Sequence, residues 1–225
     1  MKFKNKALRI ACDGESASGK SLASKLIGRK YGLYVLNSGI AYRYASSLII
    51  KYKPKKIIPF LRKKFRNLDY KKIKHLNLHS QEISNHVVNL AKQKKVRFII
   101  RVFQKKIIKR HPRIVVEGRD AASSILKKNP HYTIAFYFSC SLTVSSFRRW
   151  RDLKKRIPLK EIKKTLKNRT QQDKIRRQNP LIKVPNAVEI RTHLLTKSQM
   201  VQKMSKEIDK KLLLKYGSNF KTRKK

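Results

Sequence analysis

Gly14-Glu15-Ser16-Ala17-Ser18-Gly19-Lys20-Ser21 fits G-x-x-x-x-G-K-[ST], the pattern of a phosphate-binding loop. The apolar run Ala7 to Cys12 before it reads as a buried first strand. Leu22 to Lys30 after it reads as a helix, with Leu22, Leu26 and Ile27 on one face and Gly28 and Gly32 near its end. That order has a direct physical meaning. Glycines let the backbone wrap closely, so successive N–H groups point at phosphate oxygens above the positive end of a helix. Every residue from Gly14 to Ser21 is therefore a candidate to hold the phosphates of a nucleoside triphosphate such as ATP. Lys20 supplies a point charge for the β- and γ-phosphates, and the Ser21 hydroxyl suits Mg²⁺.

The chain has 225 residues, enough for one domain with small insertions and a sizeable core. A hydrophobic content of 40% agrees with a globular fold. Without a run of about 18 apolar residues, no membrane contact is expected. Met1 to Lys6 leads straight into the first strand, unlike a signal peptide, so a cytoplasmic location is expected. Cys12 and Cys140 fall in strands without metal-ligand spacing and read as small buried hydrophobes. The balance of 59 Lys+Arg against 12 Asp+Glu, net +47, would attract RNA and phosphorylated metabolites alike. The lysines are spread along the chain and form no recognition motif with interleaved aromatics, so the RNA contact expected is non-specific. Where acids are this scarce, Asp13, Glu117, Asp120 and Asp173 stand out for lying near motifs.

Leu33 to Leu36 reads as a short second strand, followed by a helix from Asn37 to Tyr52. Pro54 and Pro59 bracket a basic stretch to about His79 that reads as an irregular insert, with Ile57, Ile58, Phe60, Leu61, Phe65 and Leu68 as anchors. Helices follow from Ser80 to about Leu90 and from Val96 to Arg110. Arg113 to Glu117 and His131 to Ser139 read as buried strands of the parallel type. A very basic helix spans Leu142 to Lys155, Pro158 breaks it, and another runs from Leu159 to about Arg177. Ala187 to Ile190 is the last strand, and Thr196 or Ser198 caps a final helix to Tyr216, ahead of a basic tail from Phe220 to Lys225. Strand and helix alternate about five times, which argues an α/β fold with a parallel sheet wrapped by helices.

Three further groups point to a second phosphorylated ligand. Ser38 and Tyr42 share a face at the start of the second helix, and Arg43 follows. Gly118-Arg119-Asp120 follows the third strand at its carboxyl end, where open α/β sheets bind ligands. Arg169, Asp173 and Arg176, at spacings of four and three, face one way. Arginine suits bidentate phosphate contacts and Asp accepts from ribose hydroxyls. Phosphoryl transfer needs cations around both phosphates and little else, because catalysis is mostly positioning and charge stabilisation. The length argues against motors and helicases, and no N-K-x-D signature of a GTPase is present.

The ordered set of motifs resembles bacterial cytidylate kinase, a P-loop nucleoside monophosphate kinase family. The matching pieces are Ile10 through Lys20, then Leu36-Asn37-Ser38-Gly39-Ile40-Ala41-Tyr42-Arg43, then His79-Ser80-Gln81-Glu82-Ile83 with Val96-Arg97. They continue with Glu117-Gly118-Arg119-Asp120, the Arg169, Asp173 and Arg176 set, and Pro180-Leu181. The resemblance covers about residues 7 to 215. It implies transfer of the γ-phosphate of Mg-ATP to CMP or dCMP, by a chain expected to be a monomer. It implies that Ser38, Tyr42, Arg43, Arg97, Arg119, Asp120, Arg169, Asp173 and Arg176 bind the monophosphate, with Asp173 on the ribose. It implies Lys20, Arg119 and Arg169 as the catalytic residues, with Lys20 on the transferred group, and Arg43 and Arg97 with Arg119 serving phosphate and base. Residues 53–80 would be a short NMP-binding insert and about 150–168 a basic lid, within one kinase domain.

The chain departs from the family pattern at Asn37 (for Asp), His79 (for Arg), Glu117 (for Asp) and Ala122 (for Gly). Val88 stands where the family usually has a small polar residue that helps recognise cytosine. The insert is also shorter than the family's small antiparallel sheet. These leave two alternatives: a P-loop kinase for UMP, shikimate or dephospho-coenzyme A, or a basic RNA-binding protein with a degenerate ATP site.

Overall fold

A computed structural model describes residues 5–78, 80–128 and 130–217. Five strands form one parallel sheet: β1 (Leu8–Gly14), β2 (Tyr34–Asn37), β3 (Arg113–Gly118), β4 (Ile134–Ser139) and β5 (Val188–Arg191), in the order β2-β3-β1-β4-β5. The first strand is central and the order reverses around it. Cys12 pairs with Glu117 on one side and Phe136 on the other, so β1, β3 and β4 end side by side at the phosphate loop.

The helices cover both faces. Leu8, Ile10 and Cys12 of β1 point to α1 (Lys20–Tyr31) and the final helix α9 (Lys197–Tyr216), and pack with Ile27, Met204 and Ile208. Ala11, on the alternate register, points the other way. It joins the larger core under α2 (Ser38–Tyr52), α3 (Ile57–Arg66), α4 (Tyr70–Ile73), α5 (Gln81–Leu90) and α6 (Lys94–Arg110). A π-helical turn, Ala121–Ile125, closes this core beside β1. Two helices, α7 (Leu142–Asp152) and α8 (Leu159–Ile175), lie between β4 and β5 and pack on each other.

The insert departs from expectation. It is not irregular throughout: α3 and α4 fill half of it, and its described residues contain no strand. Pro59 sits in the first turn of α3, where the missing N–H costs nothing. Leu61 and Phe65, four apart, bury one face of α3, and Phe65 meets Phe103 of α6 edge-on at 5.5 Å between centroids. Asp69 caps α4 by accepting from the Lys71 N–H at 2.9 Å.

Smaller differences lie at helix ends. The basic helix stops at Asp152, because Lys154 and Lys155 turn into the left-handed region. Helix α8 stops at Ile175, which leaves Arg176 with extended backbone. Thr196 rather than Ser198 caps α9, in a reciprocal box with Gln199. His79, Met1 to Lys4 and the tail from Phe220 lie outside the described residues. Among the described residues, no helix is long and apolar enough to cross a membrane.

Candidate active site

The phosphate loop is held from behind. Gly14 lies so close to Phe138 of β4 that any side chain there would strike its backbone, and the Glu15 N–H donates to the Phe138 carbonyl at 3.1 Å. Gly19, at φ +81°, turns the chain into α1. Thr192, the first residue after β5, packs against this turn and donates its hydroxyl to the Ser18 carbonyl at 2.9 Å. Arg148 of α7 in turn donates to the Thr192 hydroxyl at 3.0 Å and to its carbonyl at 2.9 Å.

Lys20 is buried and folds back, its ammonium donating to the Glu15 carbonyl at 2.8 Å. Burial and then Arg119 push this ammonium well below the ordinary lysine range, while Glu117 works the other way. Burial pushes the Glu117 carboxyl up, against a hydrogen bond from the Ser21 hydroxyl and the charge of Lys20. The Oε2 atom of Glu117 is buried without a hydrogen-bond partner. An orphaned carboxylate oxygen beside the loop's last hydroxyl fits a hard cation, which takes one or two carboxylates and completes its shell with phosphates and water. No larger cluster of three His, Cys, Asp or Glu capable of holding a metal exists among the described residues.

The end of β3 is tied to β1. Asp13 accepts from the N–H groups of Ala121 and Ala122, at 2.7 and 2.8 Å, and so caps the π-helical turn. Burial lifts its carboxyl to about 6 despite those two bonds. The cap aims the two residues just before the turn. Arg119 forms an ion pair with Asp173 of α8 at 2.7 Å. Asp120 is buried among three guanidinium groups: Arg97 at 2.6 Å, Arg101 at 3.4 Å and Arg176 at 3.7 Å. Arg176 also reaches Asp173, at 3.5 Å. Burial pushes Asp173 up, but Arg119, Arg169 and Arg176 outweigh it and hold the carboxyl below its ordinary value.

The remaining expected residues cluster around the same groups. Burial, then the charge of Arg119, with Arg43 and Arg149 adding to it, brings Arg169 down to about 10, against the pull of Asp173. Arg43 is held by the Leu78 carbonyl at 2.8 Å and the Ser84 hydroxyl at 3.0 Å, which anchors it to the insert and α5. Tyr42 lies 5.6 Å beneath the Arg97 guanidinium, and burial pushes its phenol up to about 12. Ser38 is buried against Gly118, its carbonyl accepting from Gln104 at 3.1 Å. Asn37, one of the departures, accepts from the Gly39 N–H and donates its own N–H to the Tyr70 hydroxyl, both at 2.9 Å. Val88 lies half-buried on α5.

The structure thus gathers the expected residues and adds four. Arg101 stands four residues after Arg97 on α6, a spacing that could have revealed it. Arg149 stands with Arg148 and Arg151 in the middle of the basic helix, where the sequence marks it as basic and assigns it no role at the site. Thr192 and Asn179 carried no signal in the sequence.

Comparison with known proteins agrees with this geometry. The family model for cytidylate kinase matches residues 10–210. A cytidylate kinase of Fervidobacterium nodosum is 30% identical over 87% of this chain and 94% of its own length. One from Aquifex aeolicus is 28% identical over 89% of this chain and 96% of its own. A bifunctional pantoate ligase/cytidylate kinase of Prochlorococcus marinus is 32% identical over 87% of this chain, but only 41% of its own length. Among solved structures, the crystal structure of TT1252 from Thermus thermophilus shares the fold, with a TM-score of 0.53 at 14% identity over 92% of this chain and 99% of that one. With a family model covering most of its length, the chain belongs to the cytidylate kinase family.

Proposed function

We propose that this nucleoside monophosphate kinase transfers the γ-phosphate of ATP to CMP or dCMP, with Gly14 to Ser21 holding ATP and the cluster of Arg97, Arg119 and Arg176 holding the monophosphate. The observation that supports this most is the surplus of cations. Among the described residues, Lys20, Arg43, Arg97, Arg101, Arg119, Arg149, Arg169 and Arg176 cluster there against the acids Asp13, Glu15, Glu117, Asp120 and Asp173. Burial first, and neighbouring cations second, hold Lys20, Arg43, Arg169 and Arg176 below their usual range, so these cations are stabilised when polyphosphate arrives.

In this reading a CMP phosphate oxygen attacks the γ-phosphorus in line. One P–O bond forms as the bond to the β-phosphate oxygen breaks, and ADP leaves. Lys20, Arg119 and Arg169 meet the charge spread over the transferring oxygens. Ser21 and Glu117 would hold Mg²⁺, which supplies charge neutralisation to the β- and γ-phosphates. Asp173, between Arg119 and Arg176, orients both and is placed to accept from the ribose. We assign residues 53–80 to the NMP-binding insert, because Arg43 grips the Leu78 carbonyl there. We assign about 150–168 to a lid, because α7 roots on Thr192 beneath the ATP loop and then turns through two left-handed lysines.

The test is an ADP-release assay with Mg-ATP and CMP, dCMP, UMP and AMP in parallel. CMP and dCMP are expected to dominate. A preference over UMP and AMP of less than about tenfold, or ~1.4 kcal/mol, would defeat the cytidylate assignment. Lys20→Ala, run alongside, is expected to lose at least about a hundredfold in turnover while folding normally.

A further inference from the structure

Asn179 lies in the loop between Arg176 and Pro180, and it contacts both arginines at the monophosphate end. Its φ is +49°, the left-handed region, which Asn tolerates better than most side chains. Its backbone carbonyl accepts from Arg176 Nε at 2.8 Å. Its side-chain oxygen, turned toward Arg97, accepts from Nη2 at 3.0 Å and Nε at 3.2 Å, and its NH₂ meets the Ser124 hydroxyl at 3.3 Å. The reverse orientation would set amide N–H groups against guanidinium N–H groups.

A guanidinium is a rigid fork, so its plane is fixed only when more than one edge is held. Asp120 takes one corner of Arg97 at 2.6 Å, and the Ala91 carbonyl takes Nη1 at 3.2 Å. Asp120 is shared with Arg101 and Arg176, so it cannot by itself define where Arg97 points. Asn179 holds the Nε edge that Asp120 leaves free. We propose that Asn179 is a positioning residue for the monophosphate substrate: its amide sets the plane of Arg97 while its carbonyl sets the direction of Arg176. This rests on the reading that those two arginines hold CMP.

Two substitutions separate the side chain from the backbone. Asn179→Gly keeps the left-handed turn and the carbonyl but removes the amide. Asn179→Asp also tolerates that turn, keeps an acceptor for Arg97, and accepts from the Ser124 hydroxyl. Both are compared with the wild type on whichever of CMP, dCMP, UMP and AMP the wild type uses best. Asn179→Gly is expected to raise KM for the monophosphate about tenfold with KM for ATP unchanged, and Asn179→Asp to stay within about threefold of the wild type. The inference is overturned if Asn179→Gly behaves as the wild type, if it raises both KM values alike, or if Asn179→Asp is as impaired as Asn179→Gly. A wild type that prefers another monophosphate moves the (d)CMP assignment and leaves this comparison decisive. A wild type that turns over none of the four overturns both.

Discussion

Asp13 shows how one buried carboxyl sets the pH behaviour of the site. Burial lifts it to about 6 in the folded chain, against 3.8 for a free Asp, and the N–H groups of Ala122 and Ala121 only partly oppose this. The folded state therefore holds the proton more tightly than the unfolded state. The stability this group contributes is fully present below about pH 4 and is lost as pH rises through about 6. Asp13→Asn removes the titration but keeps one acceptor oxygen for the turn. In denaturant unfolding of both proteins at pH 4 and pH 7, the wild type is expected to lose on the order of 3 kcal/mol of stability relative to Asp13→Asn as pH rises. An unchanged difference would mean that Asp13 does not titrate in this range. Asp13 was visible in the sequence only as a rare acid near a motif. Residues with fixed spacing from a motif, such as Lys20, Arg119 and Asp173, were legible because the motif carries its own geometry. Thr192 and Asn179 were not, because their partners Ser18 and Arg97 lie far away in the chain and only the folded loops bring them together.

At the scale of elements, the parallel sheet was legible from alternation of apolar runs and helices. The insert was not, because Pro54 and Pro59 read as breaks. The anchors Ile57, Phe60, Leu61 and Phe65 already carried helical spacing, and Pro59 falls in the one turn of α3 that tolerates it. The contact between elements that matters most was also hidden. Helix α7 reaches the phosphate loop through Thr192, whose hydroxyl donates to the loop and accepts from Arg148. Thr192→Val keeps the shape and deletes both bonds. It is expected to raise KM for ATP about tenfold while KM for CMP changes little, with Thr192→Ser close to the wild type. An equal rise in both KM values would show a general loss of structure, and no rise would show that the loop needs no brace.

Over the whole molecule, the 12 acids are not spread as the 59 bases are. Asp13, Glu15, Glu117, Asp120 and Asp173 are all committed at the site, which leaves seven acids for the rest of the molecule. Helices α3 and α6 contain no acid at all. Lys105 and Lys109 stand one turn apart on α6, a like-charge spacing that costs a few tenths of a kcal/mol each time it occurs. Summed over such a surface, self-repulsion opposes folding, yet the same field draws anionic nucleotides to the site and would draw RNA without regard to sequence. Salt separates these effects because it weakens both. Raising NaCl from about 0.05 M to about 0.5 M shortens the screening length from roughly 14 Å to roughly 4 Å. The melting temperature is expected to rise, by about 2–4 °C for each kcal/mol of repulsion removed. KM for ATP is expected to rise over the same titration, because attraction of the anionic substrate is screened as well. A melting temperature that stays level or falls would mean that the ion pairs around Asp120 and Asp173 outweigh the surface lysines. A level KM would mean that ATP is captured by the phosphate loop alone, with no help from the field around it.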